Sequence, residues 1–477
     1  MPAESDILEP LDIYLIAIGG TGMAPLACLL KQAGHRVRGA DGPLYPPMST
    51  LLDANGIEPL VGYESSHLED RPDLIIVGNA IPRTNPEAEA AEASGVERIS
   101  MPEALYRFFL AERRPLVVAG THGKTTTSAL AAWVWRAAGR APGFLIGGIP
   151  RNFEHSFERG TGERFIVEGD EYNAAYFDRG PKFFHYHPDA LILTSVEYDH
   201  ADLYPTPVVL DETYRKLVRD MPESGLLLAY GDSEAVRSVA GEARCRTLFY
   251  GLEAGNDLSP ENGWQNSGQG LDFEVRERRG DPVPIRLPLS GRHNLLNALA
   301  VFGAAREDGI PGETIAAALG AFKGVKRRQE IVGTARDVIV IDDFAHHPTA
   351  VRLTLEGLRK RYPERRIVVA LEPRSLTASR NLFFDEYVAA LEAADRVWLA
   401  PAFHAERFEK AERLDTSELA RTLRRRGTPA AACGSIAGLE SQALESLAPG
   451  DLLVTMSSGS FGGLPHRIAE HLAANED

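Results

Sequence analysis

Three cysteines in 477 residues, Cys28, Cys245 and Cys433, stand far apart and without metal-ligand spacing. That scarcity excludes a disulfide scaffold and a cysteine-held zinc, and it fits a reducing compartment. Basic charge is also short: 51 Lys and Arg against 67 Asp and Glu leave a net charge of −16. Such a balance excludes a general binder of nucleic acid or anionic membrane, though not a local basic pocket. No run of about 18 apolar residues exists, so no membrane-spanning helix is expected. The first six residues, Met1-Pro2-Ala3-Glu4-Ser5-Asp6, are acidic and carry no signal-peptide pattern. A cytoplasmic protein is expected.

What is present is a long chain of ordinary composition, 44% hydrophobic and 25% charged. Its length calls for two to four domains. The most informative stretch follows a β-branched run from Leu116 to Val118. There Gly120-Thr121-His122-Gly123 precedes Lys124, Thr125 and Thr126, and a helix-forming stretch follows. Strand, glycine loop and helix N-terminus direct backbone N–H groups and the helix dipole at one spot, which is an anion cradle. Lys124 is placed to reach the β/γ-phosphates and Thr125 to ligate Mg²⁺. The full phosphate-loop pattern has glycine where Val118 stands, so the match is the shorter Gly-x-x-Gly-Lys-Thr. It reads as an ATP site.

Strand–helix alternation divides the chain into three. Residues 12–18 read as a buried strand, Gly19-Gly20-Thr21-Gly22-Met23 as a turn into a helix ending near Gly34, and residues 35–40 as a second strand stopping at Asp41. This is the start of a Rossmann-like unit. The pattern Gly20-x-Gly22 has Pro25 where a dinucleotide site has glycine or alanine. Two readings stay open: a diphosphate on the helix N-terminus with Asp41 at the ribose, or glycines that merely permit the turn with Asp41 as a helix cap. Residues 1–113 form the first domain, 114–330 the second and 331–477 the third, with a polar, proline-closed joint at 111–115 and another near 323–330. Strands are expected at 164–168, 190–196, Val338–Asp343, Arg366–Leu371, 396–400 and Asp451–Met456, and the polar stretch 253–269 as a solvated loop.

Two of these strands end in acids. Glu168-Gly169-Asp170-Glu171 closes one, and Glu197-Tyr198-Asp199-His200-Ala201-Asp202 follows another. Carboxylates at the C-terminal ends of strands beside a phosphate loop are where a hard divalent cation is held.

These motifs, with Gly291-Arg292-His293-Asn294-x-x-Asn297 and Asp342-Asp343-Phe344-Ala345-His346-His347-Pro348, occur in an order that resembles the Mur ligase family over nearly the whole chain. The resemblance implies an α/β architecture of three domains: a Rossmann-like N-terminal domain, a central P-loop ATPase domain and a C-terminal Rossmann-like domain. It implies an ATP-dependent acid–amino-acid ligase using Mg²⁺, or Mn²⁺ in its place. The segments Gly-Gly-Thr-Gly-Met-Ala, 45–50, 144–148, 182–186 and Glu372-Pro373-Arg374-Ser375 resemble the member that joins a recycled tripeptide, L-alanyl-γ-D-glutamyl-meso-diaminopimelate, to UDP-N-acetylmuramate. The alternative is the ligase that adds L-alanine to the same sugar. A dehydrogenase or a non-catalytic sugar sensor leaves Lys124 and the acids idle.

Carried over residue by residue, the resemblance places the UDP part on Gly19, Gly20, Thr21, Gly22 and Met23, with Asp41 and Ser49 beside it. It places phosphate on Lys124, within a loop formed by Gly120, Thr121, His122, Gly123, Thr125 and Thr126. The metal falls to Thr125, Glu168 and His200; the adenine end to His293, Asn294 and Asn297; ribose and phosphate to Arg328 and Asp343. His347 lies near the reacting acyl group, as the base for the incoming amine or a helper to it. Arg374, Arg380 and the loop Ser457-Ser458-Gly459-Ser460 receive the peptide. Lys216 stands near a position that is a carbamylated lysine in several relatives, and an exposed helix lysine is the competing reading. Gly169, Asn173, Ser458 and Ser460 depart from the family pattern, which bears on peptide specificity. No nucleic acid or membrane is an expected partner, and a monomer or weak dimer is expected.

Overall fold

The computed structural model describes residues 9–276, 281–403 and 407–474; the acidic first six residues lie outside that range. Four sheets organise it. The first is all parallel: β1 (Asp12–Ile16), β2 (Arg36–Asp41), β3 (Leu60–Val61), β4 (Leu74–Val77) and β5 (Arg98–Ser100), in the order β3-β2-β1-β4-β5. That is a doubly wound half, with its order reversing beside β1. Strands covered on both faces must be apolar throughout, and β4, Leu-Ile-Ile-Val, is buried at every position. The helix Met23–Gln32 springs from the glycine turn and packs all but its last two residues inward.

The second sheet holds β6 (Arg114–Ala119), β7 (Gly143–Leu145), β8 (Phe157–Glu158), β9 (Arg164–Gly169), β10 (Ala190–Leu193), β11 (Leu226–Tyr230) and β12 (Arg246–Tyr250). Its order is β12-β11-β10-β6-β9-β7-β8, parallel except for β8. β6 lies between β9 and β10, with Val118 opposite Glu168 and Ala119 opposite both Gly169 and Leu193. In-register parallel strands therefore deliver the phosphate loop, the Glu168–Glu171 acids and the 194–202 segment to one sheet edge. The helices Lys124–Ala137 and Arg292–Glu307 pack against each other behind that edge.

An antiparallel sheet of β13 (Ser259–Ser267), β14 (Gly270–Arg276) and β15 (Val283–Leu287) flanks the domain. Here the sequence reading of 253–269 as a solvated loop is corrected: its second half is a strand. Trp264 is half-buried against the core and Lys360 sits over its ring, so pairing with β14 outweighs the turn-forming composition.

The last sheet comprises β16 (Glu330–Ala335), β17 (Val338–Asp343), β18 (Arg366–Leu371), β19 (Arg396–Leu399), β20 (Ala430–Ala432) and β21 (Asp451–Met456). The order is β16-β17-β21-β18-β19-β20, with β16 antiparallel at the edge. Asp343 stands opposite Met456, which stands opposite Leu371. The loops after β17, β18 and β21 therefore share one edge as well.

Candidate active site

The two sheet edges face a cavity of about 1100 Å³, with Thr21, Pro47 and Met48 of the first domain on its rim. Its floor is the phosphate loop. Gly120 has φ +126°, and a Cβ there meets Thr194 Oγ1 at 2.3 Å and the Ser195 backbone nitrogen at 2.7 Å, so only glycine fits. Gly123, at φ +82°, faces Asn297 Oδ1 at 2.8 Å from a Cβ position. The loop is thus pressed between the 194–195 backbone and the helix that carries Asn297.

Lys124 opens its helix and its Nζ donates to Gly120 O at 2.6 Å and to both Glu171 oxygens, at 2.9 and 3.1 Å. Glu171 also meets His200 Nε2 at 3.1 Å and is almost fully buried. Burial works against charge on each member. The mutual contacts win: Lys124 and His200 are shifted up and Glu171 down from their ordinary values. Thr125 Oγ1 donates to Glu168 Oε1 at 2.8 Å, while Gly147 N–H donates to the other Glu168 oxygen at 2.8 Å. Arg328, from the joint between the second and third domains, donates to Thr125 Oγ1 at 3.0 Å. The Thr125 hydroxyl and the Glu168 carboxylate suit a hard divalent cation, whereas the His200 imidazole is a softer donor and is engaged with Glu171.

Beside this floor lies a nitrogen-rich wall. His293 is held at about 4 by burial, and then by the charges of Arg328 and His122, and its Nδ1 is buried without a partner. Asn294 donates to Ser290 O at 2.7 Å and Asn297 to Asn294 Oδ1 at 3.3 Å. Asp343 accepts the Gln329 and Ala345 N–H groups, each at 2.7 Å, and thereby ties β17 to the joint. Burial raises its carboxyl. Arg327 and Gln329 both adopt positive φ, +61° and +51°, where that joint turns. Arg328 stacks over Phe344 with 4.5 Å to the ring centre.

The cavity therefore gathers Thr121, His122, Gly123, Lys124, Thr125, Thr126, Glu168, His200, His293, Asn294, Asn297, Arg328, Asp343 and His347. Other expected residues face elsewhere. From the first glycine turn only Thr21 lines the cavity. Asp41 is not a helix cap: it accepts the Gly19 N–H at 2.8 Å and the Tyr63 hydroxyl at 2.9 Å, and so shapes that turn. Ser49 sits half-buried in the helix Met48–Ala54. Arg374 pairs with Glu372 at 3.2 Å and lies over Phe403; Arg380 lies over Phe408. Ser457 bonds Glu372 and receives the Gly459 N–H at 3.0 Å, leaving Ser458 and Ser460 on the cavity wall. Lys216 is on an outer helix face, paired with Asp220 and over Phe184. Two acids absent from the expected set matter here, Glu171 and Glu197. Both stand in the acid-rich strand ends, which was the available signal.

Comparison with known proteins bears on this arrangement. Residues 12–113 match the Mur ligase family catalytic domain, 118–305 the Mur ligase middle domain and 327–459 the Mur ligase glutamate ligase domain. An Escherichia coli (strain K12) protein, UDP-N-acetylmuramate--L-alanyl-gamma-D-glutamyl-meso-2,6-diaminoheptandioate ligase, is 38% identical over 97% of this chain and 98% of its own. The chain belongs to the Mur ligase family. A UDP-N-acetylmuramate--L-alanine ligase of Psychrobacter sp. (strain PRwf-1) is 32% identical over 97% of this chain and 95% of its own. The crystal structure of a murein peptide ligase from Psychrobacter arcticus 273-4 superposes with a TM-score of 0.73 at 31% identity, covering 97% of this chain and 98% of that one. No helix among the described residues of this Mur ligase is long and apolar enough to cross a membrane.

Proposed function

We propose that this Mur ligase spends ATP to join L-alanyl-γ-D-glutamyl-meso-diaminopimelate to the lactyl carboxylate of UDP-N-acetylmuramate. The observation that carries the reading is the convergence of Lys124, Thr125, Glu168 and Arg328 on one edge of the middle sheet, facing the loops of the third domain across a single cavity. The choice of tripeptide over L-alanine rests on the 38% identity to the E. coli tripeptide ligase, against 32% to the Psychrobacter alanine ligase.

A carboxylate does not react with an amine in water because its leaving group is poor. Transfer of the γ-phosphoryl group to it gives an acyl phosphate, which the amine attacks with expulsion of phosphate. Phosphoryl transfer asks a protein chiefly for positioning and charge. Lys124 supplies charge at the transferring group once ATP takes the place of Glu171 beside it. Arg328 supplies a second cation from across the joint, and His293, Asn294 and Asn297 form the wall for the base. Thr125, Glu168 and His200 would hold the divalent ion, which when bound would further neutralise phosphate charge. The first domain holds the UDP end near Thr21. The peptide's carboxylates call for a bidentate arginine; Arg374 and Arg380 serve if they leave Glu372, Phe403 and Phe408. Closure of the third domain excludes water from the acyl phosphate.

Phosphate release is the test. With ATP, Mg²⁺ and UDP-N-acetylmuramate, turnover is expected with the tripeptide and little with L-alanine. Equal or faster turnover with L-alanine transfers the assignment to the alanine-adding activity.

A further inference from the structure

The wall between phosphate loop and third domain carries a cluster that the reading above leaves without a task. His122 Nε2 lies 3.3 Å from Glu197 Oε2, and Thr349 Oγ1 donates to the same oxygen at 2.7 Å. The rings of His122 and His347 are 4.7 Å apart. His347 precedes the helix Pro348–Arg361 as its cap: its Nδ1 accepts the Thr349 backbone N–H at 3.3 Å. An accepting Nδ1 carries no proton, so the neutral ring bears its proton on Nε2, which is buried and without a partner. Neither nitrogen of His347 then offers a lone pair to an incoming ammonium group. Protonation would break the helix cap, and burial, with His122 nearby, holds this ring at about 4.

His122 is the converse case. Glu197 stays ionised at about 2: desolvation opposes this, but the hydrogen bond from His122 outweighs it. A carboxylate only accepts, so His122 Nε2 carries the hydrogen between them, and in the neutral ring Nδ1 keeps a lone pair. The His122 backbone N–H donates to Ser195 Oγ at 2.9 Å, which anchors the residue on the loop that cradles phosphate. Besides Glu197, the titratable groups around it are His293, His346 and His347.

We propose that His122, oriented by Glu197, takes the proton of the attacking amine, and that His347 does not. This rests on the acyl-phosphate reading. The substrate ammonium gives one proton to His122 Nδ1. Its freed lone pair forms the C–N bond while the acyl C–O bond to phosphorus breaks, the electron pair leaving with phosphate. The second nitrogen-bound proton leaves with that phosphate as HPO₄²⁻, and His122 returns its proton to solvent.

The test exchanges the nucleophile. A peptide α-amine is largely protonated near pH 7 and needs a base, whereas hydroxylamine is uncharged there and needs none. Phosphate release by the full-length enzyme is measured with ATP and UDP-N-acetylmuramate plus either the tripeptide or hydroxylamine. His122→Gln is expected to shift the tripeptide-to-hydroxylamine rate ratio by about 100-fold or more, the usual worth of a general base, on top of any loss common to both that its place on the phosphate loop brings. Glu197→Gln should split the two nucleophiles in the same direction, by less. His347→Gln should change both rates alike. Equal loss with both nucleophiles in His122→Gln, or a split found only in His347→Gln, overturns the assignment. Wild-type enzyme that releases phosphate with neither nucleophile would instead sink the acyl-phosphate reading beneath it.

Discussion

Lys124→Ala separates two consequences of one buried ion pair. Lys124 is the cation at the phosphate loop, and its Nζ donates to both oxygens of Glu171, whose side chain is 1% exposed. Removing one partner of a buried pair strands the other, at a typical cost of about 3–5 kcal/mol. His200 remains 3.1 Å from Glu171 as a second partner, which places this site at the lower end, about 3 kcal/mol. For a domain of this size that is roughly 6–12 °C in the melting temperature of the central domain. Lys124→Ala/Glu171→Ala, which removes both members of the pair and leaves His200 beside Asp199 at 3.9 Å, should recover much of the loss. Turnover should fall by at least about 10³-fold in both variants, since the charge at the phosphoryl group is gone. UDP-N-acetylmuramate binding should change by no more than about twofold, because the two nucleotides are proposed to occupy different domains. Calorimetric melting, titration with the sugar nucleotide and phosphate release read the three effects on the same samples. A folded Lys124→Ala protein that has lost sugar binding refutes the placement of the two nucleotides. A melting temperature unchanged in the single variant refutes the ion-pair argument.

Gly120→Ala sets a Cβ 2.3 Å from Thr194 Oγ1 at a φ of +126°; it should abolish ATP binding, read with a fluorescent ATP analogue, while leaving the first domain's melting transition in place. Thr125→Val removes the hydroxyl that bonds both Glu168 and Arg328, and the Mg²⁺ concentration for half-maximal turnover should rise at least about tenfold. Stability should fall as pH drops. His293 and His347, held at about 4 chiefly by burial, lend stability that is complete above the unfolded value of about 6.5 and lost on descent toward 4, because the unfolded chain takes up those protons first. His293→Gln should flatten the melting-temperature profile in that window, and an unchanged profile contradicts the burial argument.

Much of the architecture was legible because parallel strands covered on both faces must be apolar end to end. Val338–Asp343, Arg366–Leu371 and Asp451–Met456 could be bounded by eye for that reason. The strand ends carrying Glu168 and the 197–202 acids were legible too, since a phosphate loop on a neighbouring strand shares their edge. Pairing partners far away in sequence were not. The strand Ser259–Ser267 hides behind turn-forming residues until β14 pairs with it, and the edge strand Glu330–Ala335 has a mixed pattern that only its neighbour resolves. Side-chain competition was equally invisible: Arg374 and Arg380 are held by Glu372, Phe403 and Phe408. The His347 tautomer is fixed by a backbone N–H two residues on.

The central claim is that the sugar's carboxylate is phosphorylated at the edge of the middle sheet before the amine arrives. Labelling that carboxylate with oxygen-18 and analysing the phosphate released during turnover with the tripeptide tests it directly. Transfer of one labelled oxygen into each phosphate is the predicted result. Phosphate free of label, with amide product formed, would contradict it.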